Sequence, residues 1–568
     1  MLATIRSPTI LNIANWQLKW SGLLADTFLV GSFIPILLES LARERGVLAK
    51  DHSTPCNSPQ ALALAATHTA SAHHKGHQCI VELPGGVFVN TASFAMYTFS
   101  LSVLVQALTI ITMSGAADHG RFRKTLLLAF AFVGSISTMC FLPVHSGVFF
   151  IGAILAVISN TCGGASFVLL NSFLPVLVRY HPVVLAAHAE QEQDDSEQVP
   201  YDDEYLEDDR NLEPSASVSS SSGLLTGRKS SPATASTNVG KASISAELQI
   251  STKLSSTGVS VGYAAAILVQ VLSVFVLYQL GQSTFSLRVV VFIVGAWWGL
   301  FSIPSAFWLR PRPGPPLHIS GSTNSATIFF AYLSEAWKSL GRTVARARRL
   351  RDVLTFLFAW FLLSDAIATV SGTAVLFAKT TLGMEPASLA LINVVVMLSG
   401  LVGAMSWTRV SRALNLGPTQ TILLCLAIFE CMPLYALLGY IPAVQRLGYL
   451  GLQQPWEMYP IALIYGLSLG GLSGYCRALY GELIPEGFEA TFYSLYAITD
   501  KGSSIFGPAI VGAITDATGD IRPAFFFLAA LIAAPVPLMW AVNVERGKAD
   551  GLAMAEELDR GHNEQIED

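Results

Sequence analysis

Apolar runs of about twenty residues recur along this chain, separated by polar segments. A helix that crosses the ~30 Å hydrocarbon layer of a bilayer needs about that many residues, whereas a barrel strand needs only about ten. About twelve runs meet the helical criterion. The first six lie near 21–43, 91–113, 125–145, 148–178, 259–281 and 287–309. The second six lie near 353–377, 387–408, 419–440, 458–480, 492–515 and 522–543. Composition agrees: 52% of the 568 residues are hydrophobic and 13% are charged, about half the charged share of a soluble domain. A single soluble core stops growing near roughly 250–300 residues and cannot absorb this much apolar sequence. The expectation is an all-α membrane protein, and an ordinary soluble enzyme is excluded. A net charge of −5 lacks the dense basic residues that neutralise phosphates, so no nucleic-acid partner is expected.

An even number of spans puts both termini on one side, and lysines and arginines mark the cytosolic side. About two dozen of the 34 basic residues fall with the termini, against Arg43, Arg45, Lys50, Lys75, Arg288, Lys379, Arg446 and Arg522 opposite. Both termini are therefore expected in the cytosol. The chain then divides into a cytosolic tail (1–20), a six-helix half (21–309), a cytosolic linker (310–352), a second six-helix half (353–543) and a cytosolic tail (544–568). Six spans, a long cytosolic linker and six more form the layout of a major-facilitator bundle. Within the first half, residues 188–257 carry an acidic run followed by a serine-rich one. Dense like charge with little apolar surface predicts disorder there. The linker reads as an amphipathic helix, aromatic from Phe329 to Trp337 and basic from Arg342 to Arg351, a pattern that suits the inner leaflet.

Two internal signals support the major-facilitator layout. The fourth span holds Gly163-Gly164-Ala165-Ser166 and the tenth holds Gly470-Gly471-Leu472-Ser473, at matching positions. Parallel repeats predict such echoes, and small residues let helices approach closely. The loop after the second span reads Gly115-Ala116-Ala117-Asp118-His119-Gly120-Arg121-Phe122-Arg123-Lys124. Asp118 with Arg121, Arg123 and Lys124 is a candidate cytosolic latch that pairs with a neighbouring span in one access state.

Ionisable residues inside spans are costly and count as functional candidates. They are Asp26 in the first span, Asp365 in the seventh, Arg477 in the tenth, and Asp500 with Lys501 in the eleventh. At ~1.5 Å per residue, Asp365 lies ~18 Å and Lys501 ~14 Å from the inner ends of their spans, which suggests a charge pair near the midplane. Asn160, Asn171 and Asn393 add in-span amides. A zwitterionic solute needs both charge signs close together, with Lys501 or Arg477 for a carboxylate and Asp365 or Asp26 for an ammonium group. Cys56 and Cys79 share one polar loop opposite the termini and are candidates for a disulfide if that compartment is oxidising. No metal-ligand cluster appears, and no cofactor is expected.

Several long stretches resemble the fungal autophagy-related protein 22 family of vacuolar amino-acid effluxers. They run from Ser93-Phe94-Ala95 to Asp118, across Gly134-Ser135-Ile136-Ser137-Thr138-Met139, and from Ile158-Ser159-Asn160 through Asn171-Ser172-Phe173-Leu174-Pro175 to Arg179. Gly258-Val259-Ser260-Val261-Gly262-Tyr263-Ala264-Ala265 is similar to the family's fifth span, and Ser494-Leu495-Tyr496-Ala497-Ile498-Thr499-Asp500-Lys501-Gly502 to its eleventh. The family tends to follow its first-span acid with proline, whereas here Asp26 precedes Thr27. The resemblance implies a multi-pass vacuolar membrane protein that exports leucine and other amino acids to the cytosol after autophagic degradation. Its partners would be amino-acid substrates, the lipid bilayer and protons. Transport of another small solute, or a transport-dead membrane scaffold, are the alternative readings.

Overall fold

The computed structural model describes residues 27–58, 79–83, 85–118, 122–171, 262, 264–309, 325–485 and 489–554, together with Phe173 and Ala186. The expected disordered loop, the tail 1–20 and residues 555–568 therefore lie outside the described residues. The chain separates into one unit that holds residues 1–171 and 258–568, and a second that holds 172–257. All contacts below belong to the first.

A helix lies within each expected span. The first half comprises α1 (Thr27–Arg45), α2 (Thr91–Asp118), α3 (Phe122–Met139), α4 (Phe149–Asn171), α5 (Ala264–Leu280) and α6 (Thr284–Trp308). The linker forms α7 (Ser325–Ala347), and the second half begins with α8 (Arg351–Thr380), α9 (Pro386–Ala413), α10 (Pro418–Leu437) and α11 (Met458–Leu483). The eleventh span is split into α12 (Glu489–Ser503) and α13 (Phe506–Thr518). The twelfth is split into α14 (Ala524–Ala533) and α15 (Pro535–Ala541). Among the described residues, eight helices are both long and apolar enough to cross a membrane. Of the others, the eleventh is broken and the tenth is diluted by polar residues, while the first and fifth lie partly outside the described residues. Leu101, Phe275, Val402 and Phe526 stand exposed on their helices, as side chains bathed in lipid would.

Glycines set the closest helix contacts. A Cβ on Gly470 of α11 would sit 2.2 Å from the Gly400 carbonyl oxygen and 2.7 Å from the Ala404 nitrogen of α9. One on Gly403 would sit 2.5 Å from the Leu467 carbonyl oxygen. The two backbones therefore touch, as small residues permit in membranes. In the first half Gln106 of α2 fills the space over Gly164 of α4. The glycine echo thus marks the second–fourth and eighth–tenth span contacts, which are equivalent pairs in the two halves. Gly470→Ala is expected to cost about 1–3 kcal/mol by overpacking, while Gly474→Ala, with open space around it, is expected to be neutral within about 0.5 kcal/mol. Thermal melts of the purified variants check the contrast.

The polar loop after α1 holds an element that span reading passes over. Strands β1 (Val47–Leu48), β2 (Cys79–Leu83) and β3 (Val87–Asn90) form an antiparallel sheet, with Val81 opposite Val89. Gly85 and Gly86 turn β2 into β3 at φ +108° and +77°, a backbone that side chains rarely adopt. Cys56 and Cys79 are bonded, with Cα atoms 5.9 Å apart. At the opposite end, Asp352 of α8 accepts hydrogen bonds from Arg546 Nε and Nη2, both 2.7 Å, and from the Asn543 amide at 2.9 Å.

Candidate functional site

The two halves meet along a seam of polar contacts that starts beside the sheet. Asp516 of α13 accepts the Asn90 amide at 2.9 Å and the Tyr97 hydroxyl at 2.8 Å. Ser93 Oγ donates to the Gly512 carbonyl at 2.9 Å. Glu39 of α1, fully buried, pairs with Lys379 of α8 at 2.7 Å and lies 3.7 Å from Arg43. Lys379 also donates to the Ile36 carbonyl and Ser40 Oγ. Gln270 of α5 reaches the Ala390 carbonyl of α9 at 3.0 Å, and Gln282 accepts the Ala387 amide at 2.9 Å. The deepest of these contacts, from Ser100 Oγ to the Ile505 carbonyl, lies ~14 Å into α2. The seam thus gathers at the sheet end and reaches about half-depth.

Among the described residues its hydrogen bonds reach the break in the eleventh span. Two neighbouring residues of α8 hold the two pieces. Ser364 Oγ donates to Asp500 Oδ1 at 2.9 Å, with the Asp500 carbonyl at 3.0 Å, on α12. Asp365 accepts the Gly507 amide through both carboxylate oxygens, at 3.2 and 3.1 Å, and the Thr369 hydroxyl at 3.2 Å. An acceptor at the first turn of α13 satisfies an otherwise orphan N–H and suits the positive end of the helix dipole. Asp365 is therefore a capping group for α13. The Lys501 side chain lies outside the described residues, so its suggested pairing with Asp365 stays a proposal.

Behind the break stands an aromatic wall. Tyr496 stacks on Trp360 at 4.8 Å and packs at 5.1 Å against Tyr480, which stacks on Phe356 at 5.5 Å. Arg477 and Asp500 both lie within electrostatic reach of the Tyr496 hydroxyl, so two candidates of opposite sign share one region. Arg477 is exposed and Asp500 half-buried. Facing work in the first half falls to Asn160, whose amide donates to Ser102 Oγ at 2.8 Å and Gln106 Oε1 at 3.4 Å. A small cleft opens beside it, lined by Ile34, Pro35, Leu38, Thr98, Ser102 and Asn160 among others. Asn393 is half-buried on α9, and its amide nitrogen has no hydrogen-bond partner.

Of the remaining candidates, Asp26 and Arg121 lie outside the described residues, as do the side chains of Asp118 and Asn171. Arg123 and Lys124 open α3, both half-buried. Sequence reasoning passed over Glu39, Lys379, Asp516 and Glu430. Glu39 and Glu430 lay inside expected spans and met the in-span rule. Lys379 and Asp516 fell just past span ends, where a charge reads as loop. Glu430 sits on α10 with one carboxylate oxygen unpartnered.

The chain matches the family model described as "Vacuole effluxer Atg22 like" over residues 12–552. It belongs to the Atg22-like vacuole effluxer family. It is 53% identical over 560 residues to autophagy-related protein 22-1 of Aspergillus niger, covering 96% of this chain and 90% of that one. Autophagy-related protein 22-2 of Sclerotinia sclerotiorum is 55% identical over 545 residues, covering 94% and 80%. In fold it resembles a D-xylose-proton symporter, with TM-score 0.54 at 12% identity over 95% of this chain and 99% of that one. This Atg22-like effluxer is thus a multi-pass vacuolar membrane transporter with a major-facilitator bundle.

Proposed function

We propose that this effluxer exports amino acids, leucine among them, from the vacuole lumen to the cytosol by alternating access. Both termini are cytosolic and the disulfide-linked sheet faces the lumen. The observation that carries the reading is the seam: among the described residues, polar contacts join the halves from the sheet end to mid-depth, where they meet a broken helix with charged groups around it. Such broken helices, placed near the midplane, are where transporters bind polar solutes. Arg477, with Lys501, takes the substrate carboxylate, and Asp500 takes the ammonium group. Asn160, Asn171 and Asn393 add hydrogen bonds. Coupling to an acidic lumen falls to Asp500 and Asp26, because Asp365 is engaged at α13. Asp118, Arg121, Arg123 and Lys124 latch the cytosolic end when the luminal seam opens.

Efflux of labelled leucine from sealed vacuolar vesicles at controlled lumen pH tests this. Protein-dependent efflux that Arg477→Ala reduces at least tenfold, the scale of one charged hydrogen bond, is expected. Absence of protein-dependent efflux of any amino acid would move the reading to another solute, or to a scaffold. A scaffold, unlike a transporter, would lose its function when residues 190–250 are deleted.

The orientation has its own check. Cys56 and Cys79 should resist a membrane-impermeant maleimide added outside intact vacuoles, before and after reduction. In opened, reduced vesicles both should label. Labelling of the reduced cysteines in intact vacuoles would reverse the topology.

A further inference from the structure

The linker helix α7 does more than join the halves. It packs against α2 of the first half and against α12 and the start of α8 in the second. Tyr332 meets Phe122 edge-on at 5.9 Å, and Ala336 and Ala347 are buried while Leu333, Leu340 and Val344 are partly so. α7 is thus a strap across the end of the bundle opposite the sheet. Any opening at that end that parts α2 from α12 must slide or release it.

Its outer face has a different character. Phe330 is 63% and Trp337 44% exposed, one above the other at i and i+7. Lys338 and Arg342 are exposed farther round the helix and Arg348 just past its end, with Arg342 paired to Glu335. Between 325 and 351 the chain holds six basic residues against one acid. A solvated helix gains nothing by presenting large aromatics beside a basic row. A helix at the headgroup level of a bilayer does, because rings settle at the interface and cations meet lipid phosphates.

We propose that this face of α7 docks on anionic lipid headgroups of the surrounding membrane, and that this docking sets how readily the strap releases the cytosolic end. The occupant is a lipid surface because the charge is spread along the helix with aromatics between, rather than gathered in a pocket for one phosphate. The inference goes beyond the proposed substrate and does not depend on it.

Hydrogen exchange of the full chain tests it, in vesicles of phosphatidylcholine alone and in vesicles that also carry phosphatidylserine in both leaflets. Symmetric vesicles make the result independent of topology and of any transport assay. Residues 330–349 are expected to exchange on the order of tenfold more slowly in the anionic vesicles, given the attraction of several basic side chains to the surface. That protection should vanish in about 1 M salt, where the Debye length shrinks to about 3 Å. It should also vanish in the triple variant K338Q/R342Q/R348Q, whose exchange elsewhere should match the native chain and so report an intact fold. Equal exchange of 330–349 in the two kinds of vesicle would overturn the proposal. So would protection that survives both high salt and the triple substitution, and so would protection reproduced by free inorganic phosphate in neutral vesicles.

Discussion

Lys379→Ala is expected to destabilise the protein by about 3–5 kcal/mol, because it leaves the Glu39 carboxylate buried without its partner. Glu39 has no exposed surface, and Lys379 has 12% of its side chain exposed. Solvent therefore offers little compensation to either charge once the other is gone. The pair also ties α1 to α8 across the halves, so its loss weakens the sheet-end seal as well as the fold. Glu39→Gln should cost less than Glu39→Ala, since the amide oxygen can still accept from Lys379 or Thr91. Thermal melts of the single variants and of the charge-swapped double variant E39K/K379E measure the coupling. The swap should recover part of the loss but not all of it, because Arg43 beside Glu39 would then face a lysine. A double variant whose loss equals the sum of the singles would show that the two residues are not coupled.

Asp365→Ala should be the second large effect, about 1.5–3 kcal/mol for lost hydrogen bonds to a charged group. It uncaps α13 at the Gly507 amide and strips Thr369 of its partner. Asp365→Asn keeps an oxygen for Gly507 and should lose about half as much. Gly507 cannot drift to compensate in a larger form, since a Cβ there would lie 2.0 Å from Thr369 Oγ1. In vesicles Asp365→Asn should still show efflux driven by the pH gradient, at a reduced rate. Full-rate efflux that no longer responds to the gradient would instead make Asp365 the proton-carrying group.

The membrane bundle was legible because hydropathy reports which segments must leave water, and that requirement dominates every other preference in lipid. Helix ends were less so. α8 runs from Arg351 to Thr380 and α2 reaches Asp118, beyond spans drawn near 353–377 and 91–113, because a helix continues into the headgroup region where charge is tolerated. The sheet could have been read: Cys79-Ile80-Val81-Glu82-Leu83 and Val87-Phe88-Val89-Asn90 flank Gly85-Gly86, a strand–turn–strand pattern. Scanning for twenty-residue runs concealed it. The break at Ser504–Ile505 follows from no single residue type. It stands on Ser364 and Asp365, more than 130 positions away, a contact that periodicity along the chain cannot see. The same holds for Glu39 and Lys379, whose meaning is in their pairing.

The central claim is that the sheet-end seam must part for solute to enter from the lumen. Cysteines placed at Asn90 and Asp516, the seam residues joined at 2.9 Å, allow a direct test by oxidative cross-linking in sealed vacuolar vesicles. Cross-linked protein should show leucine efflux at the background level, with the parent unaffected by the oxidant, and a reductant should restore the rate. Undiminished efflux from fully cross-linked protein would contradict alternating access through this seam.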